Sequence, residues 1–268
     1  MTTLQAVILA IVEGLTEYLP ISSTGHLIIT SWIMGINENP FVKDFTVIVQ
    51  FGAILSVLVL YWKRFLTGIP FYIKLFIAFL PAAGLGFLLK DKIDLLLGDI
   101  RVVALALIVG GIALIGIDRV FAKQEKWLKE TDAGHIESLT YVQAALIGAI
   151  QCLAFIPGVS RSASTIIGGL SVKLTRKAAA EFSFFLAVPT LTAATGYKLL
   201  KILPTVTADQ IPMLLIGNVI AFIVGCLSIK AFVGFLTRRG FFVFGVYRII
   251  VGALILLALA FGSEMRML

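Results

Sequence analysis

Charge is what this sequence has least of. Only 14% of its 268 residues are Asp, Glu, Lys or Arg, 59% are hydrophobic, and mean hydropathy is +1.04. A soluble domain carries about 25% charged residues. The polar surface here is too small to cover a water-soluble fold of this length. That excludes a soluble enzyme, a disordered chain and a nucleic-acid binder. Cysteine is also scarce: Cys152 and Cys226 lie in apolar stretches and form neither a CxxC pair nor a disulfide framework. Acid is scarcer than base, 15 against 22, for a net charge of +7. In a membrane protein that excess marks cytoplasmic loops and anionic headgroups, not nucleic acid. The opening residues lack a basic n-region and a small-residue cleavage site, and they carry Glu13 and Glu17 where a signal peptide would be apolar. They read as part of the mature protein. The apolar runs are continuous, not alternating, which argues against a porin-type barrel.

What is present is a set of apolar segments. Each needs about 20 residues to cross the hydrocarbon, so the chain holds roughly six to ten. The first runs from about Leu4 to Leu19 and stops at Pro20; a polar knot, Ser22-Ser23-Thr24-Gly25-His26, and a short apolar run to Met34 follow. Full-length segments come next at roughly 45–62, 69–89 and 102–120, and a hydrophilic stretch covers 122–140. Then the pattern restarts. An apolar run from about Val142 stops at Pro157, a second knot spans Ser160 to Thr165, and full-length segments follow at roughly 182–200, 211–235 and 241–261. AIVEGLTEYLPISSTGH and AIQCLAFIPGVSRSAS match locally, with Glu13 at the place of Gln151.

The sequence therefore reads as one all-α polytopic membrane domain over 1–268, with repeat one at about 1–121, a polar linker at about 122–140 and repeat two at about 141–268. Each half is expected to be a re-entrant helical hairpin plus three transmembrane helices. An odd number of crossings would turn the second half upside down, an inverted-topology repeat. Interrupted segments at matching places in two halves point to a midplane site, because non-helical backbone is excluded from lipid unless it lines a protein cavity. Assigning each loop in turn puts thirteen basic residues, from Lys63 to Arg239, on one side and seven, from Lys43 to Arg266, on the other. The first side is then cytoplasmic, and both termini are expected outside.

The few polar residues inside these segments carry the chemistry. Glu13 and Glu17 are four apart on one expected helix and share a face. Each carboxylate near the bilayer centre costs about 2.5–3.5 kcal/mol, so the pair needs a proton, a cation or a facing arginine. Pro20 is expected to end that helix. Ser22, Ser23 and Thr24 are candidate N-caps for the next one, with Gly25 in its first turn. A helix start presents free N–H groups suited to phosphate. Ser23 also offers a hydroxyl nucleophile, and His26, three residues on, is a candidate general base, general acid or orienting partner. In the second knot Arg161 is costly in a membrane unless it meets an anion, and its planar fork suits phosphate. Ser160, Ser162 and Thr165 add hydroxyl donors. A pairing of Arg161 with Glu13 or Glu17 is the plainer alternative, and a resting salt bridge of that kind could open to admit phosphate.

At these residues the sequence resembles the undecaprenyl-diphosphate phosphatase family, also called bacitracin-resistance proteins. EGLTEYLPISSTGHL fits the family's first motif and PGVSRSAST its second; AAEFSFFLAVPT at 179–190 and the position of Gln50 extend the likeness over essentially the whole chain. The resemblance implies hydrolysis of undecaprenyl diphosphate to the monophosphate and inorganic phosphate, which recycles the lipid carrier of cell-wall synthesis and confers bacitracin resistance. It implies Ser23 as nucleophile with His26 as its partner, Glu13 and Glu17 as an essential acidic pair, and Arg161 on the phosphates. It also implies a divalent cation, Mg2+ or Ca2+, and an interdigitated inverted repeat in the bacterial cytoplasmic membrane; Glu13 and Glu17 are candidates either to hold that ion or to hold His26 and the attacking group. The expected partners are the polyprenyl diphosphate and membrane lipid, with a homodimer left open. The rival reading is a flippase or secondary transporter on the same fold. The Ser-x-x-His arrangement favours chemistry, since a carrier needs no nucleophile.

Overall fold

The computed structural model describes residues 1–89, 93, 96 and 99–261. Of the seven basic residues assigned above to the outer side, Lys90, Lys92 and Arg266 lie outside the described residues, as does the C-terminus. The described residues are helical and contain no strand. Among the described residues six helices, counting the α-helical run Pro40–Leu60 as one, are long and apolar enough to cross a membrane, so the chain is a multi-pass membrane protein.

In chain order the helices are α1 (Thr3–Thr16), α2 (Ser23–Ile33), α3 (Pro40–Ile48), α4 (Gln50–Leu60), α5 (Ile69–Leu88), α6 (Ile100–Val120), α7 (Ala122–Glu130), α8 (Tyr141–Gln151), α9 (Arg161–Ser171), α10 (Arg176–Ile202), α11 (Ile211–Arg239) and α12 (Phe242–Ala260). The spans are α3 with α4, α5, α6, α10, α11 and α12. At 14, 11, 11 and 11 residues, α1, α2, α8 and α9 are too short to cross alone.

Local chemistry sets the same start for both halves. Thr2 and Thr140 each form a capping box, with Gln5 and Gln143 respectively. Ser22 and Ser160 each cap the short helix that follows, and both hold a left-handed backbone, φ 72 and φ 77. Such conformations are costly for non-glycine residues and persist only where the surroundings enforce them.

The packing repeats as well. Helix α1 lies along α11, and α8 lies along α5; α11 also packs on α4, and α5 on α10. Helices α6 and α12 pair with each other, as do α4 and α10. Exchanging the two halves maps this pattern onto itself, and the first helix of each half rests on a span of the other. Gly14 permits the α1–α11 approach, since a Cβ there would meet the Ala221 carbonyl at 2.9 Å.

Two expectations need correction. Helix α1 ends at Thr16, ahead of Pro20, and Glu17 is its C-cap. The helix turns out early because residues 17–21 form the turn that Pro20 stiffens. The segment expected at 45–62 is two helices meeting at Val49. The hydrophilic stretch contains α7, which buries Leu128 and Glu125, the latter accepting the Arg176 main-chain N–H at 2.9 Å. Ion pairs join loops assigned to the same side. Arg64 pairs with Glu137, and Arg176 with Asp118 at 2.6 Å, whereas Lys198 pairs with Asp44 at 2.6 Å at the other end.

Candidate active site

The turns before α2 and α9 meet at one polar cavity of about 180 Å³. Glu17, Ser22, Ser23 and Thr24 line it from the first half, with Gln50 of α4; Pro157, Gly158, Ser160 and Arg161 line it from the second. Ser22 Oγ accepts the Gly25 N–H at 3.4 Å and Ser160 Oγ accepts the Ala163 N–H at 3.2 Å. Ser23 and Arg161, the first residues after the caps, therefore occupy matching places and face the same space.

Glu17 joins them. Ser23 Oγ donates to Glu17 Oε2 at 2.6 Å, and Arg161 Nη2 donates to Glu17 Oε1 at 3.1 Å. The carboxylate is 6% exposed and Ser23 is 8% exposed. Burial strengthens this pair, since the dielectric is low and no salt screens it. Arg161 is steadied from its other side by donating Nη1 to the Ser183 carbonyl at 2.9 Å. Arg161 Nε has no partner, which leaves a donor for a further anion.

Glu13 is fully buried, and neither of its carboxylate oxygens receives a hydrogen bond. Its close neighbour is the Glu17 carboxylate, one helical turn on. A buried carboxylate with no donor beside a second carboxylate needs a proton or a cation. These orphaned oxygens fit a hard divalent cation, which takes oxygen ligands. Among the described residues there is no group of three or more His, Cys, Asp or Glu that could hold a metal. The protein side would then be two carboxylates.

The remaining expected residues divide. Ser162 donates to the Leu19 carbonyl at 2.7 Å, tying α9 to the first turn. Thr165 donates to Ser183 Oγ at 2.6 Å. Both are buried behind Arg161 and are absent from the cavity lining, so their hydroxyls do not face a ligand there. Gly25 lies in the first turn of α2, where Val103 would crowd a Cβ at 3.2 Å. His26 is not the partner of Ser23 in this arrangement. Its Nδ1 meets the Ser22 carbonyl at 2.7 Å and its Nε2 meets the Tyr247 hydroxyl at 2.7 Å. Residues three apart on a helix share a face, so it is not direction that separates the pair: both ring nitrogens are already occupied. Arg248 and Tyr247 in α12 were missed from sequence. A basic residue in the middle of an apolar span, with no acid in that span, was the available signal.

The comparisons fit this geometry. The family described as bacitracin resistance protein BacA matches residues 6–254. The chain belongs to that family. A protein of Bdellovibrio bacteriovorus named undecaprenyl-diphosphatase is 54% identical, with 100% of each chain covered. A Flavobacterium johnsoniae protein of the same name is 52% identical over 96% of each chain, and one of Aquifex aeolicus is 45% identical over 94% of this chain and 96% of its own.

Proposed function

We propose that this chain is an undecaprenyl-diphosphate phosphatase whose nucleophile is Ser23, activated by Glu17. The observation that carries the reading is the 2.6 Å contact from Ser23 Oγ to Glu17 Oε2, with Arg161 on the same carboxylate at 3.1 Å. One buried carboxylate joins a nucleophile to a phosphate-binding cation at the start of two helices. The diphosphate enters the cavity and takes over Arg161, whose fork suits phosphate oxygens. The N–H groups at the starts of α2 and α9 add donors. Ser23 Oγ attacks the terminal phosphorus and its proton passes to Glu17. The bond to the bridging oxygen breaks, and undecaprenyl phosphate leaves. Water then cleaves the phosphoserine to release inorganic phosphate and restore the hydroxyl. His26 acts here by holding the Ser22 carbonyl, not by taking the Ser23 proton.

A divalent cation, Mg2+ or Ca2+, would be held by Glu13 and Glu17 together with substrate oxygens and water. It would supply charge neutralisation at the phosphates. Gln50 lines the cavity and Phe51 lines an apolar groove of about 720 Å³ between α4, α10 and α11; Leu191 and Thr192 stand in the same relation. This adjacency supports placing the prenyl chain in the groove while the head occupies the cavity.

The two-fold exchange of contacts supports an inverted repeat in which each short pair re-enters the membrane and three spans follow. The ion pairs support the grouping of loops by side, and the excess of basic residues on one of those sides supports both termini lying outside the bacterial cytoplasmic membrane. A C-terminal reporter that reads cytoplasmic would overturn that orientation. Whether the chain works as a homodimer is open to cross-linking in membranes.

The deciding experiment is phosphate release from undecaprenyl diphosphate by purified protein in detergent, with and without a chelator. The expected result is release without the chelator, its loss with it, and recovery on adding Mg2+ or Ca2+. No release under any of these conditions would favour the transporter reading.

A further inference from the structure

Arg248 is 0% exposed, in the middle of α12, and every one of its five N–H groups reaches a main-chain oxygen. Nε donates to the Leu107 carbonyl at 3.4 Å and Nη2 to that of Ala106 at 3.1 Å, both in α6. Nη1 donates to Pro20 at 3.0 Å and to Val159 at 3.0 Å, and Nη2 also donates to Gly158 at 2.9 Å. Pro20 belongs to the first turn; Gly158 and Val159 belong to the second. One side chain therefore spans both turns and anchors them to the α6–α12 pair.

No aliphatic residue could do this, although one would pack α12 on α6 with a smaller desolvation cost. Lysine could not either. Its three donors radiate from one nitrogen, whereas the guanidinium presents five in a planar fork. Room for the fork comes from Gly110, where a Cβ would lie 2.2 Å from Nη2. The preceding residue adds a further tie. The Tyr247 hydroxyl meets His26 Nε2 at 2.7 Å, and His26 Nδ1 meets the Ser22 carbonyl at 2.7 Å.

We propose that Arg248 is a positioning residue that fixes the first turn relative to the second, and so sets Ser23 against Arg161 without touching substrate. The consequence for rate rests on the reading that both residues serve one phosphate; the structural consequence does not. A displacement of about 1 Å at a reacting centre can cost about 10²-fold in rate. Arg161 and the α9 start stay together when the buckle is lost, so ground-state binding of the phosphates is retained while the line of attack is not.

The test uses full-length Arg248→Lys, Arg248→Met and Gly110→Ala in detergent. Gly110→Ala displaces the guanidinium without removing it and covers the case in which an Arg248 variant fails to fold. The first readout is kcat and KM, normalised to folded protein by its thermal transition. The expected result is a kcat lower by about 100-fold with KM little changed, and no rescue by lysine. The second readout is amide exchange in residues 21–26 and 158–163 without substrate, expected to quicken in both turns together. Retained kcat, a rise in KM alone, rescue by lysine, or exchange quickened in one turn only would each overturn the proposal. If the wild-type protein releases no phosphate, the function reading fails and the exchange result still decides this one.

Discussion

The two halves of the molecule share a backbone and differ in what they hang on it. Both start with a Thr–Gln capping box, and both pass through a turn whose last residue is a serine with left-handed φ. Counted from those boxes, Glu13 and Glu17 of the first half stand where the second has Gln151 and Phe155, and Ser23 stands where it has Arg161. The first half therefore supplies the acids and the nucleophile, and the second supplies the cation. The exchange also relates two clefts. Between α4, α10 and the start of α11 lies the open apolar groove. Its counterpart, between α10, the loop after α4 and the start of α5, holds a smaller cavity, bordered by edge-to-face contacts among Phe65, Phe71 and Phe185. A symmetric scaffold thus carries a one-sided site. That arrangement suits a reaction in which two different groups must meet one anion, more than a carrier that presents equivalent faces in turn.

The comparison is broken most severely by removing the chemistry of the first half. Ser23→Ala is expected to lower kcat by at least about 10⁴-fold, because loss of a nucleophile abolishes the route it serves. Near-normal turnover in that variant would exclude the covalent path. Glu17→Gln is expected to cost about 10²–10⁴-fold as lost base catalysis, and it should also release Arg161 in the resting protein. On the second half, Arg161→Lys keeps the charge and removes the fork. We expect kcat/KM lower by about 10–100-fold, in line with about 1.5–3 kcal/mol for a charged hydrogen bond. If lysine restores full activity, geometry at this position is not what matters.

The groove tests the second difference. Gly196 lines it, and a Cβ there would meet nothing within 4 Å. Gly196→Trp should fill part of the groove without disturbing the cavity. KM for the long-chain diphosphate should rise about tenfold, as expected when about 1.4 kcal/mol of apolar contact is lost. KM for a short prenyl diphosphate should stay close to wild type. An equal rise for both would place the chain elsewhere.

How much of this was legible in the sequence depends on range. The matched prolines, the serine knots and the six spans follow from local signals: a missing donor, a capping hydroxyl and apolar runs long enough to cross a bilayer. The convergence of Glu17, Ser23 and Arg161 was legible as a set, because charges inside apolar segments stand out. Which of them bond was not. Ser-x-x-His suggested His26 as partner of Ser23, yet the imidazole is taken up by the Ser22 carbonyl and by Tyr247, over two hundred residues away in sequence, and the turn brings Glu17 to the hydroxyl instead. Spacing along a chain encodes direction only while the helix continues, and α1 had already ended at Thr16. Arg248 offered the same signal, a lone charge inside an apolar span, but its role was hidden. Its partners are all main-chain oxygens, and no residue type announces a carbonyl.

The smallest expected effect tests whether the shared backbone is itself under constraint. Ser22 and Ser160 each serve as N-cap at a positive φ, so two costs oppose each other on substitution. Alanine loses the cap, worth about 1 kcal/mol, and keeps the strain of a left-handed residue, about 1–2 kcal/mol. Glycine loses the hydroxyl but relieves the strain, and it costs only a few tenths of a kcal/mol as a cap. Ser160→Gly should therefore match or exceed the thermal stability of Ser160→Ala, and Ser22→Gly should stand in the same order to Ser22→Ala. Equal ranking at both turns would show that the two halves enforce one geometry by the same means. A reversed order at Ser22 alone would mean that strain at its positive φ does not govern the first turn, and that the two halves hold the shared geometry by different means.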